Sequence, residues 1–146
     1  MNPTPAQRAL NAITDSGIDF VTTEHGPVRS LEEAAAARGL TSDRVLKSIV
    51  VRRGEGDHLF VLVPGGRTIS WPKLRALLSV NRLSMPSADD ALEVTGYVRG
   101  TITPFGSLSD LPVIADAEIP AGPMLIAGGD HGVAFTADSE ELVGAL

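Results

Sequence analysis

The sequence predicts an α+β fold built on a mixed, mostly antiparallel sheet with short helices around it. Two β-branched, apolar runs, LKSIVVRR (46–53) and HLFVLV (58–63), flank Gly54-Glu55-Gly56-Asp57, which is a hairpin signature and sets a central strand pair. Three shorter runs follow in the second half: PVIAD (112–116), PMLIAG (123–128) and GVAF (132–135). Helical segments are interleaved with these hairpins and not with regular crossovers, which favours α+β over a doubly wound sheet.

Each element has its local reason. Ala6, Leu10 and Ile13 recur at helical spacing after Thr4-Pro5, with Gly17 as a stop, so residues 5–16 read as an amphipathic helix. IDFVTTE (18–24) reads as a strand. Ser30-Leu31-Glu32-Glu33 has the form of a capping box leading into AAAAR, which predicts a helix over 31–38 closed by Gly39. Ser70 and Pro72 open a helix whose Leu74, Leu77 and Leu78 are expected inward, and Ser87 caps another over Ala88 to Val94, with Gly96 as its stop. DSEELVGAL reads as a closing helix.

The 146 residues fit one domain spanning 1–146. The chain has no cysteine, which removes disulfides and thiolate metal sites, and no apolar run approaches the roughly 18 residues of a membrane span. The N-terminus lacks the basic and apolar regions of a secretory signal, so a cytoplasmic protein with no membrane partner is expected. The formal net charge is −6, yet its distribution is uneven. Residues 44–82 carry eight basic side chains (Arg44, Lys47, Arg52, Arg53, Arg67, Lys73, Arg75, Arg82) against Glu55 and Asp57, whereas residues 100–146 carry seven acids and no lysine or arginine. A positive face on an acidic protein can steer a polyanion; a set of solvated faces is the alternative.

Few residues point to chemistry. Alternation places Lys47 on one strand face with Ile49 and Val51, where an ammonium either snorkels to water or is held against an anion or carbonyl. His25, His58 and His131 show no metal-ligand spacing, and no GxSxG elbow or triad is visible, so neither a metal, another cofactor nor an acyl-enzyme is expected. GYVRGTITPFG (96–106) concentrates glycine and proline but follows a predicted helix and contains Pro104, unlike a nucleotide-binding fingerprint. It reads either as a tight turn or as a shaped loop whose backbone can meet a ligand, and AGGDHG (127–132) is a second glycine-rich turn.

In order along the chain, TEHGPVRSLEEAAAARGL, VLKSIVV, LFVLVPGGRTISWPKLRALL, TGYVRGTITPFG, VIAD and LIAGGDHGVAF resemble the YbaK-type aminoacyl-tRNA deacylases, free-standing relatives of the editing insertion domain of bacterial prolyl-tRNA synthetase. The resemblance implies a curved, barrel-like mixed sheet. It also implies hydrolysis of the ester joining a wrong amino acid to the tRNA 3′ end, with alanyl- or cysteinyl-tRNA for proline as leading substrates and serine-like ones as further options. The GxxxP loop, Gly100-Thr101-Ile102-Thr103-Pro104, continuing to Phe105, would hold the terminal adenosine and the aminoacyl ester. His25, Gly128 and Gly129 join it as substrate-binding positions, and Lys47, Gly106 and His131 are the implied catalytic ones. Thr23 stands where many relatives have an aromatic residue, and Thr101 where the second glycine of a GG-x-x-P form is usual; both bear on pocket size. Expected partners are mischarged tRNA and prolyl-tRNA synthetase, with the protein a monomer or weak homodimer. A catalytically silent module that binds tRNA ends or a synthetase, and a small-molecule binding domain, are the alternative readings.

Overall fold

The computed structural model describes residues 2–24, 31–37 and 39–146. Helix α1 (Pro5–Asp15) starts at a reciprocal cap in which the Thr4 hydroxyl accepts from the Gln7 N–H and the Gln7 side chain accepts from the Thr4 N–H. Ile13 is buried as expected, Ala9 is buried with it, and Leu10, expected inward, is 39% exposed. Strand β1 (Val21–Glu24) follows, then α2 (Leu31–Ala37) and a single 3₁₀ turn, Ser42–Arg44. The capping box expected at Ser30 lies outside the described residues. The central hairpin pairs β2 (Val45–Gly54) with β3 (Asp57–Pro64) in the predicted place, and Arg53 and Asp57 form an ion pair across the turn.

Helices α3 (Trp71–Leu78) and α4 (Ala88–Thr95) lie between β3 and β4 (Val113–Ala115), and the chain closes through β5 (Pro123–Ala127), β6 (Val133–Asp138) and α5 (Ser139–Gly144). The sheet order is β1-β6-β5-β2-β3-β4: the β2–β3, β5–β6 and β1–β6 pairs are antiparallel, and β2–β5 and β3–β4 are parallel. The mixed, mostly antiparallel α+β sheet is thus the observed one; it is open, with β1 and β4 at its edges.

Both faces of the sheet are covered, as the near-continuous apolar runs of β2 and β3 require. On one face, Ala9 and Ile13 of α1 and Leu142 of α5 pack with Leu46, Leu62, Tyr97, Phe105, Met124, Ile126 and Phe135. On the other, α2 covers Val45, Leu125 and Ala134, and α3 covers Val51, Leu59, Val61 and Val63 through Leu74. Leu77, expected inward, is 67% exposed. The inward stripe of this eight-residue helix is Trp71, Leu74 and Leu78, at helical spacing, which turns residue 77 to the adjoining face.

The two glycine-rich turns receive helix α1. A Cβ on Gly106 would lie 2.5 Å from the Arg8 carbonyl oxygen and 2.7 Å from the Tyr97 hydroxyl, and one on Gly129 would lie 2.8 Å from the Pro5 carbonyl oxygen and 2.9 Å from the Tyr97 ring. Both residues also have positive φ, so no side chain is admitted on either count. Gly66 provides the contrast, with φ +88° but nothing within 4 Å of a Cβ. We expect Gly66→Ala to lose about 1–2 kcal/mol of stability, the cost of a left-handed alanine. Gly106→Ala should lose roughly 1–3 kcal/mol more, because helix backbone must also move. Urea melts of the two variants check this; equal losses would show that α1 does not press on the loop.

Candidate active site

A cleft of about 220 Å³ opens where β2 parts from β5. The two strands pair only through Val45–Leu125 and Leu46–Ile126; β5 then ends at Ala127 and turns at the buried Gly128-Gly129. Further along, Arg52 exchanges both backbone hydrogen bonds with Ser84, at 2.8 and 3.0 Å. Between these two attachments the outer edge of β2 has no strand partner among the described residues. In an antiparallel pair the backbone groups alternate, so Ser48 and Val50, in phase with Arg52, turn their N–H and C=O away from β3 and into the cleft. The opposite wall is built by Met85, Pro86, Ser87 and Ala88, by Ala91 of α4, and by Arg99, Gly100 and Ile102 of the glycine loop.

The cleft lining is mainly apolar, and its charged members among the described residues are Lys47 and Arg99. The Lys47 ammonium donates to the Arg67 carbonyl oxygen at 2.6 Å. Arg67 is itself held, its Nε donating to Asp116 Oδ2 at 2.8 Å. Burial pushes the Asp116 carboxyl up, but the Glu118 backbone N–H, Arg67 and Lys73 outweigh it and hold the group below its ordinary value. A chain of contacts therefore runs from Asp116, just past the end of β4, through Arg67 to the ammonium. Ser48 adds a further polar group: its hydroxyl oxygen is out of solvent and has no hydrogen-bond partner among the described residues.

At Gly100, φ is +90° and nothing lies within 4 Å of the position a Cβ would take, so backbone is presented directly to the open space. The next residues alternate in burial. Thr101, Thr103 and Phe105 point inward and are at most 3% exposed, whereas Ile102 faces the cleft. Thr101 Oγ1 donates to the Val98 carbonyl at 2.7 Å, and the Gly129 N–H donates to the Thr101 carbonyl at 3.1 Å, which joins the two glycine turns. His58, buried at the start of β3, meets Asp90 of α4 with Nε2 and Oδ2 at 2.8 Å, tying the helix that supplies one cleft wall.

The structure thus brings together Lys47, Gly100 and Ile102 of the residues singled out in the sequence, with Gly128 and Gly129 directly behind Ala127. It does not bring in the other described ones. Thr101, Thr103 and Phe105 are interior supports, and Pro104 and Gly106 line a separate groove with Phe60, Ser107, Asp110 and Leu111. His131 is exposed in the β5–β6 turn, where its N–H donates to Asp130 Oδ1, and it does not line the cleft. His25 lies outside the described residues. Reasoning from sequence missed Ser48, Val50, Arg99 and the segment 85–88. Ser48 and Val50 are visible only once the unpaired edge of β2 is known, and 85–88 only through the long-range bridge to Arg52.

Because Asp116 is held below its unfolded value of about 3.9, it contributes stability above that pH and loses it as the pH falls through the lower folded value. In Asp116→Asn we expect stability to be lower at neutral pH and the loss of stability on acidification to be shallower. Thermal melts between neutral pH and about pH 3 test the sign; an unchanged acid limb would remove the link.

Comparisons with known proteins agree with this architecture. A family model described as an aminoacyl-tRNA editing domain matches residues 25–145. The proline–tRNA ligase of Thermosipho melanesiensis is 34% identical over 106 residues, covering 72% of this chain and 18% of the ligase, and that of Caldicellulosiruptor bescii is 34% identical over 92 residues, covering 63% and 16%. The chain therefore spans less than a fifth of the length of these relatives. A crystal structure described as a candidate trans-editing enzyme for prolyl-tRNA synthetase superposes with a TM-score of 0.86 at 26% identity, covering 99% of this chain and 93% of that one. Because a family model of the aminoacyl-tRNA editing domain matches residues 25–145, most of its length, this chain belongs to the aminoacyl-tRNA editing domain family.

Proposed function

We propose that this protein is a trans-editing hydrolase that cleaves the ester of mischarged aminoacyl-tRNA, with alanyl- or cysteinyl-tRNA for proline as leading substrates. The observation that carries the reading is the cleft itself: a strand edge with free backbone groups faces the bare backbone of Gly100, and Lys47 stands at the margin. Such a site offers fixed donors and the cations Lys47 and Arg99, with no partnered nucleophile among the described lining residues. An ester needs little more, since a held water and oriented donors can stabilise the charge that develops on the carbonyl oxygen. Water adds to the ester carbonyl, the bond to the ribose oxygen breaks, and the proton passes to that leaving oxygen, releasing the amino acid and free tRNA.

The cleft volume supports a small acyl group. At about 220 Å³ it has room for a short acyl side chain. The apolar lining of Ile49, Val50, Ala88, Ala91 and Ile102 suits a short side chain. A synthetase pocket distinguishes side chains one methylene apart by only about 1–3 kcal/mol, so a second, smaller sieve has a purpose. The substrate would be a product of prolyl-tRNA synthetase in the same compartment, the cytoplasm, and this chain would act on it as a monomer or weak homodimer.

Incubation of the purified protein with alanyl-, cysteinyl- and seryl-tRNA for proline, following loss of the amino acid, tests the reading. Turnover on one of the three is the expected result; retained tRNA binding without turnover would make the protein a silent module. Lys47→Ala should lower turnover about 10²-fold or more with an unchanged circular dichroism spectrum, because the side chain reaches a carbonyl at the surface and not the core. Wild-type rates would remove its role. Gly100→Val should raise KM, since branches enter the open space beside the loop; wild-type KM and kcat together would count against the cradle.

A further inference from the structure

Helix α1 lies outside the residues matched by the family model, yet it reaches both ends of the loop that carries Gly100. Arg8 Nη2 donates to the Gly96 carbonyl at 2.8 Å, and Arg8 Nε donates to the Gly106 carbonyl at 3.3 Å. The guanidinium carbon stands 4.9 Å from the centre of the Tyr97 ring. Beneath it, the buried Tyr97 hydroxyl donates to the Phe105 carbonyl at 2.7 Å, one residue inside each end. Burial pushes this phenol up, with the Arg8 charge opposing, so it stays a neutral donor at physiological pH.

We infer that Arg8 is a positioning residue, a clamp that closes the 96–106 loop and fixes where Gly100 and Ile102 stand in the cleft. The chemistry requires arginine. A planar guanidinium can give two separated N–H bonds while stacking on a ring, whereas an ammonium is a point donor. The loop between the clamped ends is braced by the Thr101 N–H to the Val98 carbonyl and by the Gly129 N–H to the Thr101 carbonyl, so a shift at its ends reaches both glycine turns. Misplacement of about 1 Å in a positioning element can lower a rate 10²-fold. The catalytic consequence rests on the proposed deacylase reading; the clamp itself is a property of the free protein.

Amide hydrogen exchange and deacylation kinetics on Arg8→Ala, Arg8→Lys and Thr4→Ala separate the roles. Thr4→Ala removes the cap of the same helix and leaves the guanidinium in place. In Arg8→Ala we expect the Thr101 and Gly129 amides to exchange about tenfold faster or more, and kcat/KM to fall by a similar factor, chiefly through KM. Arg8→Lys should recover part of both, and Thr4→Ala should lower Tm while leaving both unchanged. If Arg8→Ala does not fold, Arg8→Lys and Tyr97→Phe carry the same comparison. Wild-type protection of Thr101 and Gly129 in the arginine variants, or an equal loss in Thr4→Ala, would overturn the clamp. If the wild-type protein releases no amino acid from any of the three tRNAs, the deacylase reading falls while the exchange data still decide the clamp.

Discussion

The site depends on one interruption of hydrogen bonding: β2 loses β5 after Leu46 and meets Ser84 only at Arg52. A strand in the middle of a sheet normally satisfies both of its edges, and an unpaired buried backbone group is costly. Here the gap is kept open by packing on either side. The buried β5–β6 turn at Gly128-Gly129 fixes where β5 must leave, and the His58–Asp90 contact holds α4 as the facing wall. What would be a defect in an ordinary sheet is a row of fixed donors and acceptors in a cleft, at a place no single element forms.

The glycines of 96–106 serve two purposes, and the distinction is spatial. Gly106, like Gly129 in the second turn, removes a side chain so that the backbone of α1 can pack at close range, a structural role. Gly100 removes one where nothing stands, which leaves main chain exposed to whatever enters. Between them, Thr101, Thr103 and Phe105 anchor the loop in the interior, so the exposed backbone is carried on a rigid base. Preorganisation of that kind is what the proposed reading, catalysis through fixed backbone donors, requires of the loop.

Charge is distributed with the same economy. Of the eight basic residues between 44 and 82, Arg53 and Arg67 pair with carboxylates, and Arg44 and Lys47 donate to the carbonyls of Ala121 and Arg67. Only Asp116 comes from outside the segment, so the local excess falls by one charge from the sequence count, and the cleft keeps Lys47 and Arg99 and no lining carboxylate among the described residues. A polyanion with one reactive end would meet cations at the mouth and apolar surface within. The potential that steers it is local, and the overall −6 does not oppose it.

By itself the sequence determined the α+β class, the β2–β3 hairpin, the helix capped by Ser87, the start of α3, where Pro72 stands in the first turn though the Ser70 side chain makes no cap bond, and the singular character of 96–106, because caps, turns and two-residue alternation act over a few neighbours. It also carried the family resemblance, whose motifs lie along the chain in order. Only the tertiary structure decided which residues share the cleft. It separated Gly100 from Gly106, left His131 in an exposed turn, turned Leu10 and Leu77 outward, and brought Arg8 to bonded partners 88 and 98 positions further along the chain. Those outcomes follow from where β5 leaves β2 and where α1 rests on the sheet, and such long-range contacts leave no periodicity or spacing in the residues that make them.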